Sequence, residues 1–185
     1  MTKETLIKLL VVSIIFNLIF GGTLLKKTWD NKKQTELTFY NYCRSISYVY
    51  DDLDNKLFKS AAADLNDKEY VRTTVSECSE KFFHISKMMR ELSQEDKRID
   101  NIAGIDMNSP VTRYLWSLSD KINKDKALDE KDISTLKEII AKGKQLYSFV
   151  DSAPNYNSKY GDDHPLIKID NLYKEIEKLC EEGKK

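Results

Sequence analysis

The residues best suited to metal or acid-base chemistry stand together as Asp162-Asp163-His164, directly before Pro165. Two carboxylates and an imidazole are possible metal ligands, and an enzyme built there would need distant carboxylates to join them. Adjacent loop residues rarely converge on one ion, whereas acidic residues ahead of a proline are typical of a helix start. We therefore predict a helix that begins at Pro165 and no metal site. The other histidine, His84, is predicted to be a boundary residue.

Three cysteines, Cys43, Cys78 and Cys180, are widely spaced and form no Cys-x-x-Cys pair, so a zinc site is not predicted. Each falls on a hydrophobic stripe, which indicates a small core residue. A disulfide between two of them stays open if the domain is extracytoplasmic. The chain also lacks a glycine-rich phosphate loop and the His-Glu-x-x-His and Gly-x-Ser-x-Gly motifs. We predict a protein that is not an enzyme and needs no cofactor.

Tyrosines are the remaining candidates for a functional site. Clustered aromatic side chains can form a binding surface, and they can equally be partly buried packing. The predicted interaction surface comprises Tyr42, Tyr48, Tyr156 and Tyr160. An alternative hypothesis is a small ligand bound between helices, in an apolar pocket lined by Tyr42, Tyr50 or Trp116.

Five amphipathic helices are predicted to position these side chains, over 35–58, 67–93, 110–122, 132–151 and 165–182. Each carries apolar residues in alternating steps of four and three, the spacing of one helix face. The stripes of the first two are Phe39, Cys43, Ile46, Tyr50, Leu53 and Leu57, and Val71, Val75, Cys78, Phe82, Ile85, Met89 and Leu92. Those of the third and fifth are Val111, Leu115, Leu118 and Ile122, and Leu166, Ile169, Tyr173, Ile176 and Cys180.

The fourth stripe contains a glycine. It consists of Ile133, Leu136, Ile140, Gly143, Tyr147 and Val150. Glycine costs a helix about 1 kcal/mol relative to alanine, so Gly143 is either a weak point with a slight bend or a place where a neighbouring helix approaches closely. Residues 94–108 are polar and are predicted to be a connector. Asp67 and Ser109 are predicted helix caps.

No predicted helix can bury its apolar face alone, so the faces must converge in one core. The predicted fold is therefore all-α, an antiparallel bundle of four to five helices over residues 26–185. The formal net charge is 0, so the chain has no basic excess with which to bind nucleic acid.

Residues 1–25 are predicted to be an N-terminal membrane anchor, because 9–25 carry no charge and would span roughly 25 Å as a helix. Its key residues are Leu9, Ile14, Phe16 and Phe20, with Trp29 at the interface. The alternatives are a cleaved signal peptide, for which the small residues of a cleavage site are missing, and a buried core helix. The expected location is the cell membrane, single-pass, although the lysines after the anchor favour a cytoplasmic domain.

Three stretches resemble a known family: FYNYCRSISYVYDDLDNKL (39–57), TVSECSEKFFHISKMMRELS (74–93) and SPVTRYLWSLSDKINKDKALDEKDISTLKEI (109–139). They are similar to the N-terminal region of YpeB-type spore germination proteins. The resemblance implies an extracytoplasmic helical domain that holds a cortex-lytic enzyme in the spore. The PepSY-type modules of that family have no counterpart before Lys185, so no functional residue is carried over. We expect a non-catalytic, membrane-anchored bundle that engages another protein outside the cytoplasm.

Overall fold

The computed structural model describes residues 3–61, 63–94, 97–100, 102, 109–124, 126–152 and 164–184, with side chains from Phe20 onward except those of Arg98 and Ser152. Every regular element in these ranges is helical, so the protein is an all-α helical bundle. The helices are α1 (Lys3–Asp54), α2 (Lys68–Ser93), α3 (Lys97–Asp100), α4 (Pro110–Asn123), α5 (Glu130–Lys144), α6 (Leu146–Ser152) and α7 (Pro165–Glu182). A π-helical turn, Asn55–Lys59, follows α1 directly.

The chain divides into two compact units, Met1–Glu36 and Leu37–Lys185. In the first unit, the described side chains of Phe20 and Trp29 are exposed, by 60% and 67%. Those of Leu9, Ile14 and Phe16 lie outside the described residues.

The predicted single-pass membrane location is wrong. Over the residues that the structure describes, no helix combines the length and the apolar character that a membrane crossing requires. The membrane location is therefore withdrawn.

The core of the second unit confirms the predicted stripes, except that in the fourth Ile133 is only partly buried and Tyr147 is exposed. Every member of the first, third and fifth stripes is buried, and the second is buried except at Ile85 and Leu92, which are partly buried against the core. The four-three spacing therefore identified the inward faces correctly, because side chains at these steps lie on one side of a helix.

Contacts between helices show how they are arranged. Along α1 and the π-helical turn that follows it, residue numbers rise while those of their contact partners in α5 and α6 fall. These helices therefore run antiparallel. The contacts are Arg44–Asp151, Tyr48–Tyr147, Asp51–Lys144 and Phe58–Lys137. The same order relates α1 to α2 through Tyr50–Phe82 and Asp52–Lys81, and α2 to α4 through Phe83–Trp116 and Ser76–Ser119.

Helix starts follow the predicted capping chemistry. Asp67 accepts a hydrogen bond from the Tyr70 amide at 3.0 Å, and Ser109 accepts one from the Thr112 amide at 3.3 Å. α5 begins earlier than predicted, because Asp129 and Asp132 form a reciprocal capping box. Each cap satisfies backbone donors that lack a partner within the helix.

Three features differ from the sequence-based expectation. The predicted connector contains the short α3, and Ile99 and Ile102 from this region are buried in the core. The fourth predicted helix is interrupted by a turn at Gln145, so that it forms α5 and α6. The first predicted helix ends in the π-helical turn rather than in α-helix.

At Gly143 the side chain of Tyr50 on α1 packs directly against the backbone of α5. A Cβ atom built on this glycine would overlap the ring of Tyr50. The alternative of a closely approaching neighbour is therefore confirmed. α5 ends one residue later, at Lys144.

We predict that Gly143→Ala destabilises the protein. Alanine would gain about 1 kcal/mol of helix propensity, but its methyl group would overlap Tyr50, and overpacking a core costs about 1–3 kcal/mol. Denaturant unfolding should therefore show a lower free energy of unfolding than the wild type.

Gly22→Ala is the matched control, because a Cβ there has nothing within 4 Å. It should be neutral or stabilising. In a Tyr50→Ala background the cost of Gly143→Ala should shrink, and an unchanged cost would show that Tyr50 is not its source.

Candidate functional site

An exposed pair of tyrosine rings stands out on the second unit. Tyr48 of α1 and Tyr147 of α6 are 55% and 43% exposed, and their ring centroids lie 6.2 Å apart at an interplanar angle of 49°. This separation and tilt are those of a favourable aromatic contact. The two rings therefore form one continuous aromatic surface across two helices.

A charged pair extends this surface by one helical turn. Arg44 lies four residues before Tyr48, and Asp151 lies four residues after Tyr147. The guanidinium Nη2 of Arg44 stands 3.9 Å from a carboxylate oxygen of Asp151, which is 66% exposed. We name these four residues the aromatic face. It offers two phenol groups, one cation and one anion to a partner.

Tyr147 of this face follows the turn at Gln145 that separates α5 from α6. In one uninterrupted helix, Tyr147 would continue the stripe of Leu136, Ile140 and Gly143, and it was predicted to be buried. In the structure the fully buried residue of this segment is Leu146, whereas Tyr147 is 43% exposed. The prediction that Tyr147 is buried is therefore wrong.

The other tyrosines of the predicted surface are placed differently. Tyr42 is partly buried and packs against the core. Tyr156 and Tyr160 lie outside the described residues, which end at 152 and resume at 164. Of the predicted surface tyrosines, Tyr48 is thus the exposed one among those described, and it is joined by the unpredicted Tyr147.

Another aromatic pair with an exposed member joins two other helices, α2 and α4. Trp116 of α4 is 41% exposed, and its ring centroid is 6.1 Å from that of Phe83 on α2. This pair offers apolar area on α2 and α4.

The three cysteines are buried as free thiols. Burial raises the pKa of Cys78 to about 11 and that of Cys180 to about 12, and it raises the pKa of Cys43 strongly. A thiol is a nucleophile or metal ligand only as thiolate. These cysteines are therefore protonated at neutral pH and contribute apolar packing.

The two histidines lie in different environments, one exposed and one buried. His84 is exposed, with its ring 5.9 Å from Phe83. His164 is buried as the N-cap of α7, and its Nδ1 accepts a hydrogen bond from the Leu166 amide at 3.3 Å. Asp162 and Asp163 lie outside the described residues. In the ranges that are described, no three side chains of His, Cys, Asp or Glu group together as metal ligands.

The predicted ligand pocket has a small counterpart in the core. Tyr50 lines a cavity of about 10 Å³ together with residues of α2, α4 and α7, whereas Tyr42 and Trp116 do not line it. Such a cavity has space for about one water molecule. It is far smaller than the few hundred Å³ of a typical site for an organic ligand.

Comparison of the chain with known protein families, with curated proteins and with solved structures found no significant match.

We predict that alkaline pH destabilises the protein through its thiols. Below about pH 9 the thiols are protonated in both states; above it they ionise in the unfolded chain while burial keeps Cys78 and Cys180 neutral in the folded one. Because the unfolded state then binds fewer protons, the free energy of unfolding should fall as pH rises from about 9 towards 12. Denaturant titrations across this range measure the slope.

The Cys180→Ala variant isolates the contribution of one thiol. Its stability should fall less steeply with pH than that of the wild type, and the difference should reach about 1 kcal/mol or more by pH 11. Parallel slopes for the two proteins would contradict the assignment.

A second prediction concerns the cap of α7. His164→Ala should lower the free energy of unfolding by about 1 kcal/mol, because the Leu166 amide loses its acceptor. His164→Asn, whose amide oxygen can accept the same hydrogen bond, should lose clearly less. Equal losses in thermal unfolding would show that His164 acts through packing and not through the cap.

Proposed function

We propose that this protein is a non-catalytic helical-bundle module that binds another protein through the aromatic face. The observation that carries the proposal is the exposed Tyr48–Tyr147 pair beside Arg44 and Asp151. Tyrosine and arginine are the residue types that most often dominate the binding energy of protein interfaces.

The chemistry of the face fits a protein partner. Two adjacent phenol rings supply rigid apolar area, and their hydroxyl groups can still donate or accept hydrogen bonds at a wet interface. The neighbouring ion pair spans 3.9 Å, and its Arg44 and Asp151 side chains are 34% and 66% exposed, so it contributes little to folding stability. Its charges can therefore exchange partners at little cost when another surface arrives.

The alternative of a ligand-binding sensor is less well supported, because the cavity at Tyr50 is close to the size of one water molecule. A role in spore germination rests on the resemblance of 39–57, 74–93 and 109–139 alone. Under that resemblance, the partner would be a cell-wall lytic enzyme.

Site-specific photocrosslinking tests the proposal. A benzoylphenylalanine at position 48 should give discrete crosslinked products in the cells that make the protein, several-fold above those from the same residue at position 116. Position 116 is the matched control, because Trp116 is an exposed aromatic residue on other helices.

Two variants sharpen this test. Tyr147→Ser should abolish the products formed from position 48, because it removes the neighbouring ring while leaving the core untouched. Trp116→Ser should leave them unchanged. Equal products from positions 48 and 116, or none from either, would refute the aromatic face as a binding surface.

A further inference from the structure

Two large apolar side chains of the first unit stand out into solvent on one side of α1. They belong to Leu25 and Trp29, which are 74% and 67% exposed. Because they are four residues apart on a helix, the two side chains are neighbours on its surface. Every residue from Gly22 to Gln34 is also exposed, so no other part of the described chain covers them. Adjoining apolar side chains that stay exposed are typical of a surface that binds something.

Lysines surround this apolar pair. Lys26 lies three residues before Trp29, and Lys32 and Lys33 lie three and four residues after it, spacings that place them beside the indole on a helix. The Nζ atom of Lys33 stands 6.0 Å from the centroid of the indole ring. Residues 25–33 hold four lysines and one aspartate, although the whole chain has a formal net charge of 0. Positive charge is therefore concentrated around the exposed apolar pair.

We name this surface the basic face, and it comprises Leu25, Lys26, Lys27, Trp29, Lys32 and Lys33. Its chemistry matches a layer of anionic phosphates with hydrocarbon directly beneath. Lysine side chains can lay their methylene stems on apolar surface while their ammonium groups reach phosphates, and an indole is favoured at the level of lipid headgroups. Nucleic acid would satisfy the lysines, but it offers no apolar layer in which Leu25 can be buried.

We propose that the basic face binds the surface of a lipid bilayer that contains anionic phospholipids, with its segment of α1 lying in the headgroup layer. Such a contact needs an apolar side with flanking lysines, and not the roughly 20 apolar residues of a crossing. It is therefore distinct from the single-pass location, which the structure contradicts. It is also independent of the aromatic face, which belongs to the second unit.

Vesicle flotation of the full chain tests the proposal. The wild type should bind phosphatidylcholine vesicles that contain phosphatidylglycerol at least tenfold more tightly than vesicles of phosphatidylcholine alone, because each lysine at an anionic surface strengthens binding roughly fivefold. This preference should be lost in the variant that combines Lys26→Gln, Lys27→Gln, Lys32→Gln and Lys33→Gln.

The matched control removes the same charge from exposed lysines of the second unit, through Lys87→Gln, Lys124→Gln, Lys126→Gln and Lys131→Gln. It should keep the preference of the wild type for anionic vesicles. Equal binding of the wild type to both kinds of vesicle, or an equal loss in the two lysine variants, would overturn the proposal.

Tryptophan fluorescence gives an independent measurement. The chain has two tryptophans, so Trp116→Phe leaves Trp29 as the sole emitter. Anionic vesicles should shift its emission to shorter wavelength, since the indole moves from water into the headgroup layer. An unshifted emission would refute the proposed contact. Tighter binding of double-stranded DNA or polyglutamate than of anionic vesicles would refute it too, because the lysines would then serve another polyanion.

Discussion

The contact of the Tyr50 ring with the backbone at Gly143 sets the distance between α1 and α5, and much of the bundle depends on it. The other neighbour of this ring is Phe82, at 4.7 Å between centroids, so one side chain holds α1, α2 and α5 together. Beside it, Lys144 pairs with Asp51 at 2.8 Å. An approach this close needs a glycine, because any side chain would occupy the space of the ring. The helix therefore accepts a residue of low helical propensity in return for better packing.

The parts of this fold that sequence predicted are those decided locally. Phe39, Cys43 and Ile46 are buried as expected. Apolar residues at steps of four and three lie on one side of a helix, and that side must face the core. The cap at Ser109 is equally local, since a hydroxyl before Pro110 can reach the free amide of Thr112. The candidate site was half predicted: Tyr48 lies off the stripe of α1, and this offset is enough to place it at the surface.

The remaining features depend on contacts distant in sequence, which periodicity does not contain. Tyr147 fits the predicted stripe of the fourth helix, yet it is 43% exposed, while its neighbour Leu146 is fully buried. Ile99 was assigned to a connector because its neighbours are polar, yet it fills space beside α2 and is fully buried. The membrane location was inferred from a run of apolar residues, but over the described residues no helix is long and apolar enough to cross a membrane.

The helix break near Gly143 links stability to the proposed binding surface. After the break, Leu146 and Val150 return to the core and hold α6 in place, while Tyr147 is directed towards Tyr48. The aromatic face is therefore held by buried residues on both of its helices, so its rings need little ordering when a partner binds. A surface that is already ordered retains more of its contact energy as affinity. The same core packing that imposes a glycine on α5 thus fixes the geometry of the face, whose Tyr147 lies four residues further along the chain.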